Sequence, residues 1–123
     1  MRQRLSPFRS QLMPKVKYVL LVPLTYNDGT QVPRDVLTSI EEDLFVLAGG
    51  YTIAGEGEGA YRMKSGAKQV DRSLQMWVVI DDSDEQALRE LVSKFGSLLG
   101  QESMYLERTG TTVEFIPPQG DPT

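Results

Sequence analysis

The chain has 123 residues and a net charge of −4, and it contains neither cysteine nor histidine. Hydrophobic residues make up 40% of the chain and charged residues 24%, a composition typical of a folded domain. The two missing residue types exclude disulfides, thiolate chemistry, an imidazole base, a Ser-His-Asp triad and the common transition-metal sites. We therefore expect one cytoplasmic domain with no cofactor and no metal site.

The charges are distributed unevenly along the chain. Residues 1–17 carry five basic side chains and no acid, which leaves a net charge of −9 on residues 18–123. Because an acidic body repels a phosphate backbone, the sequence argues against direct binding of nucleic acid.

No segment has the pattern of a membrane helix or a secretory signal. The longest apolar run, Val16–Leu24, is far shorter than the roughly 20 residues that a membrane helix needs. We predict a basic N-terminal arm or extension at residues 1–16, a single domain at 17–116 and a C-terminal tail at 117–123.

The first half of the chain predicts a strand followed by a helix. Lys17–Leu24 is apolar on both faces and rich in β-branched residues, as expected for a central strand. Pro33–Ala48 has apolar residues at helical spacing, and Gly49 ends it. A second helix is predicted from Ser83, where SDEQ has the form of a capping box, and Gly100 ends it.

The remaining segments complete a recognisable order. Tyr51–Met63 and Lys68–Ile80 predict the two strands of a hairpin. Ser103–Leu106 and Thr112–Ile116 predict one last strand, or two short ones bent between them. The order β-α-β-β-α-β is typical of an α+β, ferredoxin-like fold, an antiparallel sheet with two helices on one face, here with or without an extra C-terminal strand.

The GEGEGAY stretch at residues 55–61 lies within the first hairpin strand. A phosphate-binding glycine loop opens a helix, whereas a strand continues here, so the sequence argues against a phosphate cradle. If Ser65 and Gly66 are the central turn residues, paired positions sum to 131 and the three glycines face the helices. The glycines would then leave space for the core.

In this register Glu56, Glu58 and Asp71 share the sheet face away from the helices, with Arg62 beside them. Two glutamates two residues apart on a strand lie roughly 7 Å apart. Such carboxylates could bind a hard cation or act as an acid and base pair, so these three are the candidate catalytic residues. A solvated, charge-balanced sheet face is the alternative.

Trp77 and Val79 are apolar residues on the same predicted face. Apolar side chains on a face without helices require a cover, for which we consider a second copy, a small apolar ligand or the C-terminal segment. A sheet-to-sheet homodimer is the first expectation. The candidate ligand or interface residues are Trp77, Val79, Arg62 and Gln75.

Three runs carry a resemblance to a known family: AGGYTIAGEGEGAYRMKSG, QMWVVIDD and FGSLLGQESMYLE. Over roughly residues 17–116 the chain resembles a small bacterial family of unknown function with a ferredoxin-like pattern. The resemblance implies the fold and an assembly, and it assigns no functional residues.

Three functions are compatible with these patterns. The leading hypothesis is a non-catalytic oligomeric domain that binds a partner or a small ligand through the sheet face away from the helices. The alternatives are a cofactor-poor dimeric α+β enzyme that uses the carboxylates, and an acidic accessory protein that docks a basic partner.

Overall fold

The computed structural model describes residues 14–120, so most of the predicted basic arm and the last three residues of the tail lie outside the described residues. This part of the chain forms four strands, two α-helices and a short 3-10 helix. In chain order they are β1 (Lys15–Pro23), α1 (Arg34–Ala48), β2 (Thr52–Arg62), β3 (Lys68–Asp81), the 3-10 helix Asp82–Asp84, α2 (Glu85–Leu99) and β4 (Leu106–Thr112).

The strands form one antiparallel sheet in the order β2-β3-β1-β4. The core lies between the sheet and the two helices, and even-numbered residues of β1 and β3 point into it. The largest fully buried side chains are Tyr18, Phe95, Leu20, Ile40, Leu44, Met76, Leu88 and Leu99. This architecture confirms the ferredoxin-like α+β prediction. We call the sheet face that carries Tyr18 and Met76 the helix side, and the opposite face the open face.

Glycines end both helices, as predicted. Gly49 and Gly100 follow α1 and α2 with φ of 80° and 65°, a left-handed conformation that glycine adopts without steric cost. The predicted capping box at Ser83 is wrong. Ser83 lies within the 3-10 helix, and α2 begins at Glu85 without a side-chain capping hydrogen bond, because the chain leaves β3 through that extra turn.

The last strand is a single element. β4 continues through Thr109 and Gly110, where one of the two predictions placed a bend between two short strands. The pairing of β4 with β1 is irregular instead, with a register shift between Val16 and Tyr18. The amide of Val113 donates a further hydrogen bond to the carbonyl of Lys15 at 2.9 Å. None of the helices in residues 14–120 is long and apolar enough to cross a membrane.

The hairpin between β2 and β3 has a different register from the predicted one. Gly66 donates to the carbonyl of Met63, and Met63 donates to Ala67, so the loop has three residues. Gly66 has φ of 91°, as in a type I turn followed by a left-handed glycine. A two-residue turn would have required a positive φ at Ser65, and within the described residues only glycines have one.

This shift changes the faces of β2. Paired positions such as Gly57 with Ser73 and Glu58 with Arg72 sum to 130, so the predicted register is wrong by one residue. The three glycines therefore lie on the open face, and Glu56 and Glu58 lie on the helix side.

A bulge between Ile53 and Gly55 shifts the pairing by one further residue, and Ala54 is the extra residue. Before the bulge Thr52 pairs with Trp77 and Ile53 with Met76, so the paired positions sum to 129. Thr52 therefore lies on the open face and Ile53 on the helix side, as predicted. Gly55 has φ of 146° at this point, which a residue with a side chain rarely adopts.

Candidate functional site

A cavity of about 300 Å³ lies on the open face at the end of the sheet where the hairpin turn is located. Its wall combines apolar and aromatic residues with a few polar ones. The residues that line it are Leu21, Pro23, Asn27, Tyr61, Arg62, Met63, Gln69, Asp71, Ser73 and the α2–β4 loop, Gln101–Tyr105. An apolar wall with few polar groups is typical of a small-molecule site, and this volume is at the lower end of the usual range.

The first residues of the α2–β4 loop, residues 101–105, are held by hydrogen bonds to two other loops. Asn27 donates from Nδ2 to the carbonyl of Gly100 at 3.2 Å and accepts from Nε2 of Gln101 at 3.2 Å. The backbone amide of Lys64 in the hairpin turn donates to Oε1 of Glu102 at 3.1 Å. These contacts fix the position of this part of the cavity wall relative to the hairpin turn and to the loop that contains Asn27.

Asp71 is the distinctive residue of the cavity. It is 6% exposed, and within residues 14–120 it is the one charged residue that is buried. Its Oδ1 accepts a hydrogen bond from Nε2 of Gln69 at 3.2 Å, and no lysine or arginine of the described chain lies within 4 Å of its carboxylate. A carboxylate offers about four acceptor positions, so Asp71 has capacity for further donors.

Two other depressions, of about 520 and 700 Å³, are larger but lack such a group. The first lies between α2 and the α2–β4 loop, and the second lies beside the start of α1. In both, every charged residue of the lining is exposed to solvent. The open-face cavity is therefore the candidate site.

The three predicted catalytic carboxylates do not share a face. Asp71 lies on the open face opposite Gly59, whereas Glu56 and Glu58 lie on the helix side and are exposed. Glu56 forms an ion pair with Arg72, as expected for a solvated, charge-balanced surface. The predicted grouping is wrong because the hairpin register differs by one residue, and a catalytic role for any one of them stays a prediction.

The predicted ligand or interface residues lie at different points of the sheet. Trp77, Val79 and Gln75 point to the open face of β3. Trp77 is 37% exposed, and the ammonium of Lys17 lies 3.6 Å from the centre of its ring, a cation–π contact. Arg62 lies at the end of β2 and lines the cavity.

A second charged cluster joins β1, β4 and the start of α2. Arg108 donates from Nη1 to Asp82 at 2.8 Å, to Glu85 at 2.6 Å and to the hydroxyl of Tyr18 at 3.0 Å. Burial and the Glu85 carboxylate raise the pKa of Tyr18, while the Tyr18 hydroxyl and Arg108 lower the pKa of Glu85. Because these groups satisfy one another, the cluster is explained by the fold.

Several cavity residues were not among the predicted site residues. Tyr61 was not selected as a site residue, and the α2–β4 loop entered only through the run FGSLLGQESMYLE, one of the three that carry the resemblance. One local signal was available: in GEGEGAY, Gly59 and Tyr61 are two residues apart and share a face. The contribution of the loop depends on contacts with Asn27 and Lys64, which are distant in sequence.

No protein-family model matches the chain, and no curated protein matches it. Several solved structures share its fold. A phage SAM lyase in complex with S-methyl-5'-thioadenosine is 13% identical with a TM-score of 0.60, and the match covers 84% of this chain and 90% of that one.

Two proteins named CutA1 also share the fold, with the same TM-score as each other. The divalent cation tolerance protein from Thermus thermophilus is 17% identical, with a TM-score of 0.54 and coverage of 79% of this chain and 84% of that one. CutA1 from Oryza sativa is 18% identical, with a TM-score of 0.54 and coverage of 85% and 84%. At these identities the similarity shows the fold alone, and the chain is a ferredoxin-like domain.

Proposed function

We propose that this chain binds a small organic cation in the open-face cavity, with the Asp71 carboxylate as its anchor. The observation that carries the proposal is the burial of Asp71 without a cationic partner within the described residues. Burial removes most of the water that would solvate this carboxylate, and the one side chain that donates to it, Gln69, is neutral. A cationic ligand bound in the cavity would supply a positive charge next to the Asp71 carboxylate.

The rest of the lining supports a ligand that is partly apolar. Leu21, Pro23 and Met104 provide aliphatic contacts, and Tyr61 and Tyr105 provide aromatic rings. The acidic side chains Asp71 and Glu102 outnumber the single basic side chain, Arg62, which leaves the lining with a charge of −1. A monocation with a planar or aliphatic part complements this surface.

A metal ion is a less suitable ligand. Within residues 14–120 no group of three or more Asp, Glu, His or Cys side chains is arranged to hold one. Hard cations such as Ca²⁺ take six to eight oxygen ligands, and Asp71 alone supplies at most two.

The test uses two probes that differ in charge. S-Adenosylmethionine carries a sulfonium, an ammonium and a carboxylate group and is a net monocation. S-Methyl-5'-thioadenosine has the same nucleoside and a neutral thioether, and it lacks the charged amino-acid chain. Calorimetric titration should show S-adenosylmethionine binding at least about tenfold more tightly, equivalent to about 1.4 kcal/mol. Equal affinity for the two probes, or no binding of either, would contradict the proposal.

The same titration separates a binding domain from an enzyme. Chromatography of the probe after incubation should recover S-adenosylmethionine unchanged, as expected for a non-catalytic domain. Conversion of the probe would favour the alternative of a cofactor-poor enzyme. Asp71 would then remain a candidate catalytic residue, whereas Glu56 and Glu58 lie on the helix side and cannot reach the open-face cavity.

We also propose that a second copy covers the other end of the open face. The patch consists of the exposed Trp77 and the half-buried Val79, while Val19, opposite Trp77 on β1, is already buried. It lies about 20 Å along β3 from Asp71, given about 3.3 Å of rise per residue. Light scattering should therefore find a dimer or larger species, and Trp77→Ser should shift it towards the monomer. A wild-type chain that is monomeric at high concentration would exclude this assembly.

A further inference from the structure

We propose that Gly59 is a positioning residue that allows the Tyr61 ring to form part of the cavity wall. The proposal rests on the ligand-binding function proposed above. A β-carbon on Gly59 would lie 2.8 Å from Oη of Tyr61, 3.1 Å from Cζ and 3.2 Å from Cε2. Real β-carbons essentially never approach another heavy atom closer than 3.0 Å. The Tyr61 ring therefore occupies the space that any side chain at position 59 would fill.

The place taken by the ring is next to Asp71. Gly59 and Asp71 are direct cross-strand partners on the open face, where side chains of paired residues stand about 5 Å apart. Since Gly59 has no side chain, the ring of Tyr61 folds back over the position opposite the carboxylate. The ring and the carboxylate thus form adjacent parts of one surface, and both line the cavity.

An aromatic ring beside a carboxylate is suited to an organic cation. The carboxylate neutralises the charge, and the face of a tyrosine ring attracts a cation more strongly once the cation is desolvated. The 45% exposure of Tyr61 leaves part of the ring accessible from the cavity. The inference adds a second recognition element to Asp71 and assigns a role to the glycine at position 59, since a side chain there would displace the Tyr61 ring.

Gly57 provides a matched control. It lies on the same strand and face as Gly59, neither has a positive φ, and a β-carbon on Gly57 would meet nothing within 4 Å. An alanine at either position adds one methyl group to β2 and reduces backbone freedom in the unfolded chain. Only at position 59 does it displace an aromatic ring.

The test is a double-mutant cycle on the full chain, with S-adenosylmethionine as the probe in calorimetric titrations. Gly59→Ala and Tyr61→Ala should each weaken binding about tenfold, and the double variant should bind no more weakly than Tyr61→Ala alone. Gly57→Ala should stay within about twofold of the wild type. If the alanine methyl group weakened binding by disturbing the strand, Gly59→Ala would also weaken binding in the Tyr61→Ala background. If it acts by displacing the Tyr61 ring, Gly59→Ala should have no further effect in that background.

Two outcomes would overturn the inference: wild-type affinity in Gly59→Ala, or additive losses in the double variant. Melting temperatures of all variants, measured without the probe, show whether each chain is folded. The proposed function fails separately, when the wild-type chain does not bind S-adenosylmethionine. If the wild type binds and Asp71→Asn does not, while Gly59→Ala binds normally, the function stands and the role of Gly59 is excluded.

Discussion

Replacing Phe95 with alanine should lower the free energy of unfolding by about 3–5 kcal/mol. Phe95 is 1% exposed and lies in the inner face of α2, within the core that includes Leu20 and Met76. The substitution removes the transfer free energy of a whole ring and leaves a cavity that close-packed neighbours fill only in part. Because a domain of this size has a total stability of roughly 5–15 kcal/mol, the loss is a large fraction of it.

Leu98→Ala is the matched control for this prediction. Leu98 lies on the same helix and is 47% exposed, so its truncation should cost less than about 1 kcal/mol. Urea denaturation followed by the fluorescence of the single tryptophan measures both values. Similar losses in the two variants would mean that α2 does not pack on the sheet through the face described above.

The helices and the order of elements could be predicted because their signals are local. The apolar stripes of α1 and α2 follow the helical period, and Gly49 and Gly100 occupy positions that require a left-handed backbone. The fold class then follows from the order of the elements, since few topologies bury two amphipathic helices against four strands.

The hairpin register could not be obtained from the same kind of signal. Ser65 and Gly66 suit a two-residue turn, but they suit a three-residue loop with Gly66 in the left-handed region equally well. The polarity of the two strands favours the predicted register, because it places the glycines and Tyr61 on the face of the apolar residues of β3. This signal is misleading here, since the helices do not cover this part of the sheet and the helix side of β2 is exposed. A one-residue difference in the turn then moved Glu56 and Glu58 to the other face.

The candidate site was predicted only in part. Asp71 and Arg62 were selected as charged neighbours, but the cavity beside them depends on the α2–β4 loop. That loop is held by Asn27 and Lys64, which lie more than 35 residues away in sequence. No local pattern reports such contacts, and the burial of Asp71 becomes visible only in the folded chain.

Neutralising Asp71 is the substitution that affects the proposed function most. Asp71→Asn keeps the shape of the side chain and the acceptor oxygen for Gln69, but it removes the charge. A hydrogen bond to a charged group contributes about 1.5–3 kcal/mol, so S-adenosylmethionine should bind about 10- to 100-fold more weakly. The folded chain should be no less stable, because the substitution removes a buried charge that has no cationic partner within the described residues and keeps the hydrogen bond from Gln69.

Glu58→Gln is the control for the charge change. It removes one negative charge from the same hairpin, but its side chain lies on the helix side and is exposed. Exposed charges on the other face of the sheet are screened by salt and contribute little to binding in the cavity. The two variants have the same net charge, so a difference between them reports the position of the carboxylate.

The most direct measurement is therefore the calorimetric affinity of the two variants and the wild type for S-adenosylmethionine at one salt concentration. An anchoring role predicts a loss of about 10- to 100-fold in Asp71→Asn and wild-type affinity in Glu58→Gln. Wild-type affinity in a folded Asp71→Asn variant, or an equal loss in both variants, would contradict the assignment of the open-face cavity as a cation site.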